Sequence, residues 1–206
     1  SYEAPYPFAR RMSTLDHLTD GRIGWNIVTG YLNSAAKAMG KDQQTGHDDR
    51  YDVADEYMDV VYKLWEASWQ DDAVLRDRTS GVFVDPAKVH RVHHEGEHYR
   101  LDAIHLSEPS PQRTPVLYQA GTSPRGRQFA ARHAECVFMS GPSAKVIAPR
   151  VAAIRELAAA AAGRAPSDIL MFSMMTVILG KTHDAAKAKL EDYKQYVSHE
   201  GALTLM

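Results

Sequence analysis

Four buried, extended segments alternate with helical segments along this chain, and that alternation constrains the fold more than any other feature of the sequence. The strand patterns lie at 22–29, 115–120, 136–140 and 169–179. The helical patterns that follow them lie at 48–68, 125–134, 143–162 and 184–199. Strands joined by helical crossovers pair in parallel. The alternation therefore predicts an α/β fold in which the four strands are neighbours in chain order.

Two further segments complete the predicted elements. Apolar residues spaced three and four apart predict a helix over 5–19. Residues 70–114 carry turn signals instead, with a hairpin predicted around Gly96, and we expect this insertion to lie outside the sheet. Its histidines lack the Cys/His pairing of zinc sites, so no metal site is predicted. The pattern alone leaves open a doubly wound sheet or part of a (β/α)8 barrel, which typically needs about 250 residues.

Charge and hydropathy argue against two classes of partner. The 206 residues include 24 Lys and Arg against 26 Asp and Glu, a net charge of −2. Such a balance does not suit a protein that binds nucleic acid by electrostatics. No run of about 18 apolar residues is present to span a membrane. The lone Cys136 cannot form an internal disulfide, and no secretory signal is visible, so we expect a cytoplasmic protein with a reduced thiol.

One strand–helix junction offers hydroxyl groups to an anion. Thr122 and Ser123 follow the strand at 115–120 and precede a predicted helix start. Free amide groups at a helix N-terminus bind phosphate, and Arg125 or Arg127 would add positive charge. The alternative interpretation is an ordinary helix cap after a strand.

Two other positions are candidates for ligand contacts. His47 and Tyr51 stand four apart at the start of the helix predicted over 48–68, which places them on one face. They either donate to an anion at that helix end or serve as a capping histidine and a packed tyrosine. Asn26 lies near the end of the first strand, where its partner is either a ligand or a neighbouring backbone group.

Three long stretches resemble the flavin-dependent monooxygenases of the bacterial luciferase superfamily. They read GRIGWNIVTGYLNSAAKAMG, HDDRYDVADEYMDVVYKLWEASW and SPQRTPVLYQAGTSPRGRQFAARHAECVF. The insertion, DRTSGVFVDPAKVHRVHHEGEHYRLDAIHLSEPS, is similar to the branch that contains nitrilotriacetate, dibenzothiophene-sulfone and long-chain alkane monooxygenases. The resemblance covers nearly the whole chain.

The resemblance implies a luciferase-like (β/α)8 TIM barrel, of which 1–206 would hold about four central β/α units and the insertion at about 70–114. It implies reduced FMN (FMNH2) from a separate flavin reductase, a small organic substrate, O2 and a homo-oligomer. The implied flavin-binding residues are Asn26, His47, Tyr51, Thr122 and Ser123.

The family's N-terminal strands and final strand have no match here, so we expect a fragment or a truncated product. No catalytic base is assigned. Two alternatives stay open: a flavin- or deazaflavin-dependent oxidoreductase of the same superfamily, and a non-catalytic flavin-binding remnant.

Overall fold

A computed structural model describes residues 2–204, which form two compact units that divide after Ser173. The helices are α1 (Pro5–Thr19), α2 (Asn33–Ala38), α3 (His47–Tyr62), α4 (Pro124–His133), α5 (Ala144–Ala162), α6 (His183–Lys194) and α7 (His199–Thr204). The strands are β1 (Gly24–Ile27), β2 (Val74–Asp77), β3 (Val82–Val84), β4 (Val92–Glu95), β5 (Arg100–Ala103), β6 (Val116–Gln119), β7 (Cys136–Met139) and β8 (Leu170–Ser173). A π-helical turn, Lys63–Ala67, continues α3.

The first unit is built on a four-stranded parallel sheet in the order β1-β6-β7-β8. This confirms the predicted α/β class and the predicted order of neighbours. The side chains alternate between the two faces of the sheet. On one face Ile27, Leu117 and Val137 are buried in the hydrophobic cores.

The opposite face carries a row of aromatic side chains from three strands. The ring of Phe138 lies 5.7 Å from that of Tyr118 and 5.4 Å from that of Phe172. Gly24 leaves room for the ring of Tyr118, since a Cβ on residue 24 would stand 2.7 Å from Tyr118 Cε2. Leu170 and Phe172 on this face are 56% and 41% exposed. The face is therefore apolar but only partly covered within residues 2–204.

An aromatic cluster joins α1 and α3 to the sheet. Phe8 of α1 packs against Trp25 with ring centroids 4.5 Å apart and against Tyr57 of α3 at 5.7 Å. Trp65 closes the cluster, and its indole N–H donates to the carbonyl of Ala9. Large buried rings contribute strongly to a core, so this cluster fixes α3 beside β1.

The insertion forms two antiparallel hairpins outside the parallel sheet, β2 with β3 and β4 with β5. The hairpin predicted around Gly96 is confirmed as β4–β5, whereas the β2–β3 hairpin was not predicted. The carboxylate of Glu56 on α3 accepts hydrogen bonds from the backbone N–H groups of His98 and Tyr99, at 2.9 and 2.8 Å. This carboxylate attaches the insertion to α3.

Two predicted boundaries are wrong. The strand expected over 169–179 ends at Ser173, because its partner strand β7 ends at Met139, which is the register partner of Ser173. The helix expected over 184–199 is two helices. The first of them, α6, ends in i→i−3 hydrogen bonds between backbone groups. The Ser198 hydroxyl then accepts from the Gly201 N–H at the start of α7.

Residues 2–204 contain no helix that is long and apolar enough to cross a membrane. Among their His, Cys, Asp and Glu side chains, no group of three or more is arranged to hold a metal ion.

His105 is a buried imidazole that ties the insertion to α1. Its Nε2 lies 2.9 Å from the Ser13 hydroxyl, and its backbone N–H donates to Ser68 Oγ at 2.8 Å. Its carbonyl accepts from the indole of Trp69. Burial, assisted by the nearby charge of Arg10, lowers the pKa of His105 to about 4, because a charged ring would lose its hydration there.

We predict that His105 makes the protein less stable in mild acid. Its ordinary pKa is 6.5 and its folded pKa is about 4. The unfolded chain therefore takes up a proton below about pH 6.5 that the folded chain refuses until about pH 4. Across this window the free energy of unfolding should fall by up to roughly 3 kcal/mol. Urea unfolding of wild type and His105→Gln at several pH values measures the difference.

The control is His17→Gln, which removes an exposed histidine from α1. It should keep the pH dependence of the wild type. Parallel pH profiles for wild type and His105→Gln would contradict the prediction.

Candidate functional site

Two helices begin side by side at the carboxyl edge of the sheet. α3 begins at His47, directly after Gly46, without a side-chain cap. α4 begins at Pro124, and the hydroxyl of Ser123 accepts the Gly126 N–H at 3.0 Å. The capping role considered for Ser123 is thus confirmed. That bond uses a lone pair of the hydroxyl and leaves its proton able to donate to a ligand.

Tyr51 and Ser123 meet at Gly126. Tyr51 Oη and Ser123 Oγ lie 2.8 and 3.0 Å from the point that a Cβ on Gly126 would occupy. A Cβ on Gly121 would stand 2.6 Å from the same tyrosine oxygen. The two hydroxyls are therefore neighbours, although 72 positions separate their residues, and two glycines allow this close approach.

Gln119, the last residue of β6, holds both parts of this arrangement. Its amide Nε2 donates to Tyr51 Oη at 3.4 Å, and its Oε1 accepts the Gly121 N–H at 2.6 Å. Because Tyr51 Oη accepts from Gln119, its own proton remains able to donate to a ligand.

A cleft of about 360 Å³ opens beside these residues. It is lined by residues 27–31, His47, Arg50, Tyr51 and residues 119–121. The ring of His47 lies 5.4 Å from that of Tyr51, edge to face, and its Nδ1 is 2.6 Å from Asp48 Oδ1. Arg50 donates from Nη1 to the carbonyl of Thr45, while its buried Nε has no hydrogen-bond partner among residues 2–204. The cleft thus combines an imidazole, a phenol and a guanidinium.

The structure does not place all the predicted residues in this cleft. Asn26 lies on the opposite face of the sheet, where it pairs in register with Tyr118 and is exposed. Thr122 is exposed and is not among the residues that line the cleft. Strand alternation explains the first result, because Ile27, the residue after Asn26, faces the helices. Ser123 does not line the cleft either, but its hydroxyl lies beside that of Tyr51 at Gly126, so His47, Tyr51 and Ser123 are the predicted residues that the structure brings together.

Arg125 is engaged with α3 rather than with the cleft. Its Nη2 contacts Asp52 Oδ1 at 2.7 Å and also pairs with Asp55 Oδ2. Asp55 accepts a further hydrogen bond from His133 Nε2 at 2.7 Å. Burial alone would raise the pKa of Asp55, but hydrogen bonds from His133 and Arg125 outweigh it and hold that pKa below its usual value. The charge of Arg125 is therefore already compensated.

Sequence reasoning did not single out Gln119 or Arg50. Gln119 is a buried polar residue that ends an apolar strand immediately before the Gly121 turn, which is a signal for a polar contact. Arg50 gave no signal of its own, because its position in the cleft depends on the fold of the loop before α3.

Three comparisons with known proteins give consistent results. A family model described as luciferase-like monooxygenase matches residues 2–203. The long-chain alkane monooxygenase of Geobacillus thermodenitrificans (strain NG80-2) is 54% identical over 203 residues, covering 98% of this chain and 46% of that protein. The dimethyl-sulfide monooxygenase of Hyphomicrobium sulfonivorans is 53% identical over 205 residues, covering 100% of this chain and 42% of that protein. This chain spans less than half the length of these relatives.

Solved structures of proteins from the same family resemble this chain in fold. The crystal structure of long-chain alkane monooxygenase (LadA) matches with a TM-score of 0.93 and 54% identity, covering 98% of this chain and 46% of that chain. A riboflavin lyase (RcaE), solved with modified FMN and riboflavin, matches with a TM-score of 0.87 and 49% identity, covering 92% and 42%. The resemblance seen in the sequence is confirmed: the chain belongs to the luciferase-like monooxygenase family.

Proposed function

We propose that the protein carrying this chain is a two-component monooxygenase that uses reduced FMN, and that this chain supplies the phosphate-binding part of the flavin site. The observation that carries the proposal is the convergence of Tyr51 and Ser123 where α3 and α4 begin. The names of the relatives support the reaction type, and the riboflavin lyase supports FMN, since that protein was solved with a modified FMN.

The proposed whole fold is a (β/α)8 barrel, of which residues 1–206 form about four central units. The four parallel strands in chain order support this, as does the LadA structure, 46% of which this chain covers. The aromatic face formed by Tyr118, Phe138 and Phe172 would then point into the barrel. In barrels of this kind ligands bind at the carboxyl ends of the strands, where α3 and α4 begin.

The residues present fit the phosphate of FMN. The hydroxyls of Tyr51 and Ser123 both have protons left to donate, and backbone N–H groups in the first turns of α3 and α4 favour an anion. Because His47 Nδ1 donates to Asp48, its Nε2 can donate to a phosphate only when the ring is protonated. Asp48 on the first turn of α3 opposes an anion, but its carboxylate is 72% exposed, so water and salt screen its charge.

When bound, the reduced flavin supplies the electrons and the atom that activates O2. In the proposed reaction this chain's residues bind and orient that group. Tyr51 and Ser123 would hold the phosphate, and residues 27–31 with Ala120 line the cleft beside Tyr51. The further proposed partners are a separate flavin reductase, a small organic substrate and a second copy of the protein. Asn26 and Thr122 are proposed to contact the flavin from outside the cleft.

Oxygen chemistry distinguishes this function from its alternatives. The protein expressed from its complete reading frame is mixed with reduced FMN without oxygen, and O2 and candidate substrates are then added. A monooxygenase gives an oxygenated product. A flavin- or deazaflavin-dependent oxidoreductase would transfer hydride without consuming O2, and a non-catalytic remnant would bind FMN and form no product.

We predict that Ser123→Ala weakens FMN binding by about 10- to 100-fold, because a hydrogen bond to a charged phosphate is worth roughly 1.5–3 kcal/mol. Ser123→Thr keeps the hydroxyl and should bind FMN close to the wild-type level. Flavin fluorescence titration of the protein from its complete reading frame measures the affinity, with circular dichroism as the folding control. Wild-type affinity in a folded Ser123→Ala variant would leave Ser123 as a helix cap only.

Gly126→Ala gives a second prediction. The new methyl group would stand 2.8 Å from Tyr51 Oη, 3.0 Å from Ser123 Oγ and 3.1 Å from the Gly121 Cα, so the hydroxyls must separate. We expect FMN binding at least about tenfold weaker even though alanine is the better helix former. Gln128→Ala, at an exposed position of the same helix, is the matched control and should not change binding. Normal binding by Gly126→Ala would show that the contact with Tyr51 is unimportant.

A further inference from the structure

We propose that Arg125 and Asp55 form a positioning pair for the flavin-phosphate site. In this inference, which rests on the proposed function, the pair holds the start of α4 against α3 so that Ser123 stays beside Tyr51. The pair would thereby determine how strongly the protein prefers FMN over riboflavin, which lacks the phosphate.

The two residues lie within one helical turn of the two hydroxyls. Arg125 comes two residues after Ser123 in the first turn of α4, and Asp55 comes one turn after Tyr51 on α3. Their side chains are each only 19% exposed. A cation that reaches from α4 to the partly buried carboxylate of Asp55 on α3 fixes the distance between the two helix starts.

Arg125 also restrains the tyrosine ring directly. Its guanidinium carbon lies 5.6 Å from the centroid of the Tyr51 ring, in cation–π geometry. Phe129, one turn further along α4, packs against the same ring at 5.5 Å. The position of the Tyr51 hydroxyl therefore depends on where α4 is held.

Asp55 is itself held from a second direction. His133 is the last residue of α4, and its Nε2 lies 2.7 Å from Asp55 Oδ1. Its other ring nitrogen, Nδ1, lies 3.1 Å from the hydroxyl of Tyr62. Asp55 thus links both ends of α4 to α3, which makes it a rigid attachment for Arg125.

The geometry favours positioning over direct contact with the phosphate. Both carboxylate partners of Arg125, Asp52 and Asp55, lie on α3. A guanidinium with two carboxylate partners has little net charge left for a third anion. Its planar fork, in contrast, can bridge two acceptors, which the ammonium group of lysine does with less geometric constraint.

The test compares Arg125→Lys and Arg125→Met with wild type in the protein from its complete reading frame. FMN and riboflavin affinities are both measured, and circular dichroism checks folding. Lysine keeps the charge but loses the planar fork, so we expect FMN binding about tenfold weaker in both variants. Riboflavin binding should change by less than about twofold, because it has no phosphate to place.

Arg91→Lys is the matched control. It makes the same change of side chain in the insertion, where Arg91 is 65% exposed and pairs with Asp102 at 3.5 Å. Its FMN-to-riboflavin preference should equal that of the wild type. If Arg125→Met does not fold, Arg125→Lys and this control carry the test together.

Unchanged FMN affinity in both variants would overturn the inference, and so would two other outcomes. Wild-type FMN affinity in Arg125→Lys, with weak binding only in Arg125→Met, would show that charge matters rather than position. An equal loss of FMN and riboflavin binding would show a general structural role. Equal affinity of the wild type for FMN and riboflavin is a separate result, because it would overturn the proposed phosphate site itself.

Discussion

The parallel pairing of β1 with β6 is the constraint on which the rest of the site depends. Its register places Ile27 beside Gln119, so both strands end at the same level of the sheet. The chain leaves both strands there. Helix α3, which comes after β1 and the short α2, and helix α4, which comes after β6, begin next to each other. Residues 70–114 lie between the two strands in sequence but outside the sheet, so their length does not alter this register. One backbone pairing thereby brings Tyr51 and Ser123 together.

Strand alternation then decides which side chains share the site. Because Ile27 and Gln119 face the helices, Gln119 can contact both Tyr51 and the Gly121 N–H. Asn26, one residue earlier, must face the other way and joins Tyr118 on the aromatic face. The two faces of the sheet therefore differ in chemistry, with polar contacts beside the helices and aromatic rings on the other side.

Features encoded over short stretches could be predicted from sequence, and features set by distant partners could not. Apolar spacing predicted α1 over 5–19 as observed, because an amphipathic helix carries its own signal. The strand predicted over 169–179 was too long, because its end is set by β7. In the site, His47 and Tyr51 share one helix face, which the sequence alone indicates. The engagement of Arg125 with Asp52 and Asp55, about 70 positions away, depends on tertiary packing and leaves no local pattern.

The acidic face of α3 limits the positive charge near the proposed phosphate site, where Arg50 is the guanidinium that lines the cleft. Asp48 and Asp49 in the first turn favour the positive end of the helix dipole, which stabilises the helix but opposes a phosphate at the same place. Farther along α3, the carboxylates of Asp52 and Asp55 are compensated by Arg125. The guanidinium of Arg125 thus forms ion pairs between α4 and α3. The groups left to face a ligand beside Gly126 are hydroxyls and backbone N–H groups. Donors of this kind recognise an anion through direction and distance more than through charge, so their relative position has to be fixed by the packing of α4 on α3.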